Sequence, residues 1–406
     1  MIQIKNKKDC VGCNACVQRC PKQCISMSED EQGFLYPAVN LDLCIECGLC
    51  EKVCPVTNQA EPRKPEHIYA AQNLDENVKI KSSSGGVFFA LAKRVIEEGG
   101  VVFGAKFNNY WEVEHGYAES LQDAKSFQGS KYVQSRIRNN FNEVEKFLKD
   151  GRTVLFSGTP CQIAGLKLFL RKEYENLIAV DVVCHGVPSP LVWREYLHHI
   201  ALPLGARYGK NTESVSLNGM PVITGISFRD KRLGWEKFGI SIRISATEGS
   251  GKNSEFQYAI GQKEEREAFY EPLDENLYMQ IFLKDLDLRP SCYACPSKCG
   301  KSRSDITLAD FWGIKRHLPS SYDFNGVSLV LTNTAKGKSI LETLPIESTE
   351  TSYEIALKGN PAIERSAMQP RQYKKFWTSY NCNRFLEISR IVESMKPTLL
   401  LSLIHI

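Results

Sequence analysis

Cysteine carries most of the chemistry open to this sequence. Of 15 cysteines in 406 residues, nine fall within the first 54. Cys10, Cys13, Cys16 and Cys20, followed by Pro21, read C-x2-C-x2-C-x3-C-P, and Cys44, Cys47, Cys50 and Cys54, followed by Pro55, repeat the run. Two-residue spacers let successive thiolates turn toward one centre, so each run offers three ligands to a [4Fe-4S] cubane. In two-cluster ferredoxins the last cysteine of each run serves the other cluster. That rule predicts one cluster on Cys10, Cys13, Cys16 and Cys54 and another on Cys20, Cys44, Cys47 and Cys50. The crossing would staple together a segment too short to be held by its own core. Structural zinc is the competing chemistry, but it takes separated cysteine pairs rather than two internally repeated runs of four. Cys24 fits neither run and reads as a small buried hydrophobe.

A second set is more scattered. Cys292 and Cys295 form a C-x2-C pair, Cys299 follows four residues later, and Cys161 and Cys184 each end a predicted strand. Cys161 stands where a helix begins, which favours a thiolate, and Cys184 stands at a strand's carboxyl end, where ligands gather in open α/β sheets. Five candidates are one more than a third cubane needs, and the residues alone do not choose among them. The plainer alternative has Cys161 and Cys184 as core thiols. Two loops suggest a phosphate site. Ser82-Ser83-Ser84-Gly85-Gly86 leads into a helix at Val87, combining hydroxyls, glycine amides and a helix N-terminus. Gly129-Ser130-Lys131-Tyr132 adds a cation and an aromatic ring. An ordinary helix cap and a turn with a solvated lysine explain the same residues. His185 stands beside Cys184 as a possible proton donor or as an ordinary loop residue.

The elements that must position these residues alternate. Residues 57–66, TNQAEPRKPE, are polar with two prolines and read as a linker. Strands are predicted at Ile68 to Gln72, Val101 to Phe107, Thr153 to Phe156 and Leu177 to Val183. Helices are predicted over Gly85 to Glu98, around Phe141 to Leu148, from Pro160 to Leu170 and through Trp193 and Leu197. This alternation predicts a mainly parallel sheet with helices packed on it. From residue 215 to 260 the pattern turns to β, with segments at Gly225 to Phe228, Phe238 to Ile244 and Glu255 to Ile260, expected to form an antiparallel insertion.

Composition fits a folded protein of more than one domain: 42% hydrophobic, 24% charged. The net charge of +4 comes from lysines and arginines spread along the chain, which argues against a nucleic-acid partner. Two oxidised cubanes would each add about −2. The apolar run Leu399 to Ile406 is far shorter than the roughly 20 residues of a membrane span. No leader-like stretch precedes Cys10, so a cytoplasmic, reducing location is expected, with metal rather than disulfides as the purpose of the cysteines. Cys382 reads as a free thiol.

Taken together, Ser83-Ser84-Gly85-Gly86, Gly129-Ser130-Lys131-Tyr132, Ser157-Gly158-Thr159-Pro160-Cys161-Gln162, Cys184-His185-Gly186-Val187-Pro188-Ser189 and Asp305-Ile306-Thr307 through Asp310-Phe311-Trp312-Gly313 resemble the family of coenzyme F420 hydrogenase/dehydrogenase beta subunits, over about residues 67 to 320. The resemblance implies FAD near Ser83, Ser84, Gly85, Gly86, Lys131 and Tyr132. It implies a third [4Fe-4S] cluster on Cys161, Cys184, Cys292 and Cys295, with Cys299 as the alternative fourth ligand. The expected fold is an α+β ferredoxin-like dicluster domain (residues 1–56) and a linker (57–66), followed by an α/β flavin-binding domain with an antiparallel β insertion (67–320). Residues 321–406 carry no assigned motif. The expected activity is that of an iron-sulfur flavoprotein oxidoreductase exchanging electrons with a ferredoxin, coenzyme F420 or another small redox partner. The alternatives are a non-catalytic electron-transfer subunit and a regulatory protein with structural or sensing clusters.

Overall fold

The computed structural model describes residues 1–208, 223–245, 265–383 and 385–394. Two short strands, β1 (Ile25–Glu29) and β2 (Leu35–Val39), pair antiparallel between the two cysteine runs. An eight-stranded sheet follows, built from β3 (His67–Asn73), β4 (Val101–Phe107), β5 (Val113–Ala118), β6 (Val154–Gly158) and β7 (Leu177–Val182), then β11 (Ile306–Asp310), β12 (Ser328–Thr332) and β13 (Ile346–Thr351). Its order is β13-β3-β12-β11-β7-β6-β4-β5. A separate three-stranded antiparallel sheet holds β8 (Ile223–Asp230), β9 (Gly239–Ser245) and β10 (Glu265–Pro272). The expected segment at Glu255 to Ile260 lies outside the described residues, as do the tail at Leu399 to Ile406 and the side chain of Cys382.

The expectation of a mainly parallel sheet is corrected. Only β4, β6, β7 and β11 pair in parallel, while β5, β12, β3 and β13 join antiparallel. The parallel centre is the part whose strands are continuous apolar runs, such as Val154-Leu155-Phe156, each fully buried. The outer strands alternate more: β13 reads IESTET and is mostly exposed. Because β12 and β13 belong to this sheet, it continues well past residue 320.

The carboxyl ends of β6, β7 and β11 share one edge, and β3 runs parallel to β11 through two antiparallel steps across β12. Loops leaving β3, β6, β7 and β11 therefore emerge on the same side, where ligands of open α/β sheets bind. The helices that leave this edge bury the sheet faces. Helix Val87–Glu97 buries Val87, Leu91 and Val95 at helical spacing on one side, and helix Pro160–Leu170 buries Ile163, Leu166 and Phe169 on the other. Among the described residues no helix is long and apolar enough to cross a membrane.

The N-terminal segment packs onto this edge. The hairpin between β1 and β2 turns at Gly33 (φ +82°), where an added Cβ would lie 2.5 Å from Leu191 Cβ. Ser189, fully buried, donates to Gln32 O while its oxygen accepts from Leu191 N and Val192 N, so one hydroxyl caps helix Pro190–Tyr208 and anchors the hairpin. Residues 57–66 form no regular element. Arg63 N donates to Cys299 O (2.8 Å) and Glu66 N to Thr332 O (2.8 Å), tying this stretch to the larger unit.

Gly33 and Gly99 both hold left-handed φ, but nothing lies within 4 Å of an added Cβ at Gly99. Both alanine variants carry the left-handed penalty of about 1–2 kcal/mol. Gly33→Ala is expected to lose about 1–3 kcal/mol more than Gly99→Ala from overpacking against Leu191, measured by denaturant unfolding. Equal losses would show that the hairpin does not press on that helix.

Candidate functional site

The two N-terminal runs fold alike. Gly12 (φ +69°) and Asn14 (φ +65°) flank Cys13, as Glu46 (φ +52°) and Gly48 (φ +70°) flank Cys47. Left-handed residues on each side of the middle cysteine coil the backbone so that thiols and amides turn inward, the nest geometry that suits an anionic iron-sulfur group. A short helix then carries the third cysteine of each run: Ala15–Gln18 holds Cys16, and Leu49–Lys52 holds Cys50. Burial, then the neighbouring Cys16, Cys54 and Cys10, push the Cys13 thiol well up. Cys16 is pushed to about 12, first by burial and then by Cys10 and Cys54. Cys10, Cys13, Cys16 and Cys54 thus form one mutually repelling group across the two runs. A partly open pocket is lined by Cys20, Cys44, Cys47 and Cys50, together with Cys24 and Pro21. Ile2 N donates to Cys50 Sγ at 3.2 Å. Cys24 is buried, with its Sγ 3.4 Å from Cys20 Sγ.

Four of the scattered cysteines lie near enough at the sheet edge to act on one another's charge, although among the described residues no group of three or more cysteine, histidine or acidic side chains is drawn together tightly enough to hold a metal ion. Cys161 sits in the first turn of helix Pro160–Leu170, entered through a Thr159/Gln162 capping box with Pro160 at the first helical position. Cys184 leaves β7, and Cys292 and Cys295 lie on the turn Pro290–Ala294 and just after it. Cys161 is pushed to about 12 by burial, then by Cys295 and Cys184. Cys184 is pushed to about 11 by burial, against the nearby Lys298 ammonium and with a further rise from Cys295. Cys292 is pushed well up by burial, Cys184, Cys295 and Cys161. Buried thiols that raise one another in this way do not ionise together without a cation among them, so the donor set fits an iron-sulfur group. Val187 N donates to Cys292 Sγ (3.4 Å) and Cys295 N to Ser366 Oγ (3.0 Å), holding this segment in place. Cys299 faces elsewhere, toward Glu364 O at 3.6 Å.

The loops expected to bind a phosphate also meet. Ser130 donates to Ser83 Oγ through its amide (2.6 Å) and its hydroxyl (2.8 Å). Much of the serine-glycine loop, however, is committed to the protein. Ser84 Oγ donates to Val327 O, Gly85 N donates to Ser328 Oγ, and a Cβ on Gly85 would lie 2.5 Å from Ala71 O. Gly85 is therefore required by strand packing. Lys131 Nζ donates to Gln128 O and Gly129 O, and burial lowers its ammonium to about 7 although the side chain keeps some accessible surface. The Tyr132 ring stacks on Phe282 at 5.1 Å, and Phe282 meets the edge of His185 at 5.7 Å. A run of rings thus joins the Lys131 loop to the residue beside Cys184. His185 pairs with Asp285.

Three cations escaped the sequence reading. Arg229, 2% exposed, pairs with Asp310 (2.8 and 3.1 Å) and also donates to Tyr132 Oη and Ser83 O. Lys231 donates to Lys79 O, Ser84 O and Asn325 O, clamping the serine loop from below. The run Arg229-Asp230-Lys231-Arg232 at the end of a strand was the available signal, since exposed strand ends seldom need such density of charge. Arg289 is the other missed residue. Fully buried, it donates through Nε to Cys10 O (2.8 Å), Nη1 to Gln134 Oε1 (3.0 Å) and Nη2 to Leu35 O (2.9 Å).

Comparison with known proteins bears on the two-part organisation of the chain. Residues 151–351 match the family model for the C terminus of the coenzyme F420 hydrogenase/dehydrogenase beta subunit, and residues 9–58 match the 4Fe-4S dicluster domain. The chain belongs to the family of coenzyme F420 hydrogenase/dehydrogenase beta subunits. Its N-terminal domain is of the kind that carries two [4Fe-4S] clusters. An F420H2 dehydrogenase subunit of Methanosarcina mazei is 23% identical over 187 residues, 42% of this chain and 51% of that protein. The 7Fe ferredoxin of Hydrogenibacillus schlegelii is 46% identical over 50 residues, 12% of this chain and 58% of that protein. A chain of the xenon-derivatised F420-reducing [NiFe] hydrogenase complex of Methanosarcina barkeri is 16% identical, with 76% of this chain and 97% of that one covered and a TM-score of 0.44. The chain spans about half the length of the curated relatives it matches.

In this family member Arg229→Gln would leave the partly buried Asp310 carboxylate without the guanidinium that pairs with it. Breaking such a pair is expected to cost about 3–5 kcal/mol in urea unfolding. A loss under about 1 kcal/mol would mean that water reaches the pair.

Proposed function

We propose that this chain is an iron-sulfur flavoprotein oxidoreductase that moves electrons between FAD and three [4Fe-4S] clusters, serving a small redox donor or acceptor. The observation that carries the reading is that Cys161, Cys184, Cys292 and Cys295, far apart in the chain, lie near enough at the carboxyl edge of the sheet to raise one another's thiols. The ligand sets follow the two groupings above: Cys10, Cys13, Cys16 and Cys54, then Cys20, Cys44, Cys47 and Cys50, with the third set in the larger unit. We assign residues 1–56 to the dicluster domain, 57–66 to the strap that joins it and the remainder to the flavin and third-cluster unit. When bound, FAD supplies two-electron exchange with an organic partner, and cubanes supply single-electron steps.

The chain's own residues arrange the order. Helix Pro160–Leu170 carries Cys161 in its first turn and Gly165 one turn, about 6 Å, further on. A Cβ on Gly165 would lie 2.9 Å from both Cβ and Sγ of Cys13. The Cys161 set therefore lies beside the Cys10 set. Cys47 is exposed and belongs to the set facing outward, with exposed Leu41, Leu43 and Ile45 around it. Electrons thus have a path from the sheet edge through the Cys10 set to the outer Cys44 set. On the other side, Lys131, Ser83 and Tyr132 suit an anionic, ring-bearing cofactor, because a buried ammonium at about 7 regains its proton beside a diphosphate. Arg229 and Lys231 hold the loop rather than the cofactor.

The name of the M. mazei relative favours a second reading, in which the chain is an electron-transfer subunit of a larger assembly, coenzyme F420 being one candidate substrate of the whole. Turnover with a soluble acceptor by the isolated chain separates the two.

Anaerobic preparations should contain about twelve irons and one FAD per chain. Cys184→Ser should remove about four of those irons while Cys299→Ser keeps them; equal losses, or about eight irons in the parent chain, would remove the third cluster from the proposal. FAD affinity should weaken as pH rises. Lys131 is protonated below about 7 in the free protein and must take up a proton to bind at higher pH, so affinity falls by up to about tenfold per pH unit above 7. Fluorescence titration of FAD from pH 6 to 9 checks this, and a flat profile would place the diphosphate away from Lys131.

A further inference from the structure

Arg289 is a buried cation with no acid to pair with. Its side chain is fully enclosed, its three hydrogen bonds end on the neutral oxygens of Cys10, Leu35 and Gln134, and no salt bridge to it forms among the described residues. Aromatic faces cover it, with the guanidinium 4.3 Å from the Tyr36 ring centre and 5.4 Å from that of Phe34. Burying a guanidinium without a counter-charge costs several kcal/mol. Neutral carbonyls and ring faces offset only part of that.

The negative charge within reach is thiolate. Arg289 Nε holds the carbonyl of Cys10, and its Nη1 is 2.9 Å from an added Cβ on Gly12, inside the first cysteine run. Three residues later the same turn presents Cys292, whose N–H donates to Arg289 O at 2.8 Å. Arg289 thus stands between the Cys10 set and the Cys161 set, a fixed cation in contact with the backbone that carries ligands of each.

Resting on the ligand sets proposed above, we propose that Arg289 is the shared counter-ion of these two clusters, a positioning residue that raises both reduction potentials relative to the outer cluster and binds the two domains in the same act. Adding an electron to a cubane increases its negative charge, and a cation fixed nearby in a medium of low dielectric favours that step. No hydrogen bond joins Arg289 to the outer set, Cys20, Cys44, Cys47 and Cys50, among the described residues, and with Cys47 exposed to screening solvent that set receives less of this field. Electrons would therefore settle on the inner pair and leave through the outer cluster only when an acceptor is present. Arginine suits the position because its planar fork reaches three acceptors at once.

The test is an EPR-monitored redox titration of the full, anaerobically reconstituted chain, with iron counted in every sample. Arg289→Gln keeps the hydrogen-bonding shape and removes the charge. It should shift the inner cluster potentials negative by about a tenfold change in the oxidised-to-reduced ratio, or about 59 mV for one electron, and leave the outer cluster in place. Arg289→Lys should restore most of the shift. Gln134→Glu, which leaves Arg289 intact and sets a carboxylate on Nη1, should move the same potentials in the same direction and serves if Arg289→Gln does not fold. Full iron with unmoved potentials in these variants, or Arg289→Lys behaving as Arg289→Gln, would overturn the counter-ion role. Iron content near eight in the parent chain would instead remove the third cluster while the Cys10 set still reports on Arg289, so the two proposals fail separately.

Discussion

Thiols crowded together out of water repel one another once they ionise. Cys13 and Cys16 in one group, and Cys161, Cys184 and Cys292 in another, are all driven upward by burial and by neighbouring cysteines. Such an arrangement is unfavourable unless cations are supplied, and metal binding is then also folding free energy. The N-terminal segment shows the dependence most plainly. Its hydrophobic cluster consists largely of cysteines, with Ile2 and Ile25 as the other buried members. Without bound metal it has little core of its own.

The rest of the architecture brings these thiol groups together and keeps them dry. Parallel strands β6 and β7 deliver Cys161 and Cys184 to one edge, and the long excursion to Cys292 and Cys295 returns to it. Helix Pro160–Leu170 then serves both groups, because its first turn carries Cys161 and its second, at Gly165, lies on Cys13. Any side chain at Gly165 would push the two groups apart. Arg289 and Ser189 complete the contact through backbone carbonyls of the dicluster domain, at Cys10, Leu35 and Gln32. Backbone acceptors leave the partner side chains unspecified, so these ties hold position without a matching charge.

The loops proposed to hold the flavin follow a different logic. The sequence suggested a cradle whose glycines admit a phosphate, but Gly85 is pressed on Ala71 and Ser328 of the sheet. What remains for an anion is Lys131, which no facing carboxylate holds at its ordinary value. Arg229, by contrast, already has Asp310 and is pushed further up by it, so it stabilises the loop whether or not a ligand is present. Position in the chain does not distinguish these two cations; only their partners do.

Local spacing determined the chemistry of the first 54 residues. Two runs of C-x2-C-x2-C-x3-C-P fix which thiols share a turn, because the turn closes within six residues and needs no distant contact. Strand and helix positions such as Val101–Phe107 and Pro160–Leu170 were equally legible, since periodicity and capping are local. The direction of the outer strands was not, and the mixed sheet replaced a mainly parallel one because pairing direction depends on which neighbour a strand finds. Spacing likewise did not choose between Cys295 and Cys299; in the fold Cys299 adopts a left-handed backbone (φ +58°) and its thiol meets Glu364 O. Arg289 was invisible for the same reason, and the charged run from Arg229 to Arg232 did not say which of its cations would be buried. Their significance lies in what surrounds them, and a buried cation looks like any other arginine or lysine until tertiary packing has removed the water and supplied, or withheld, its counter-charge.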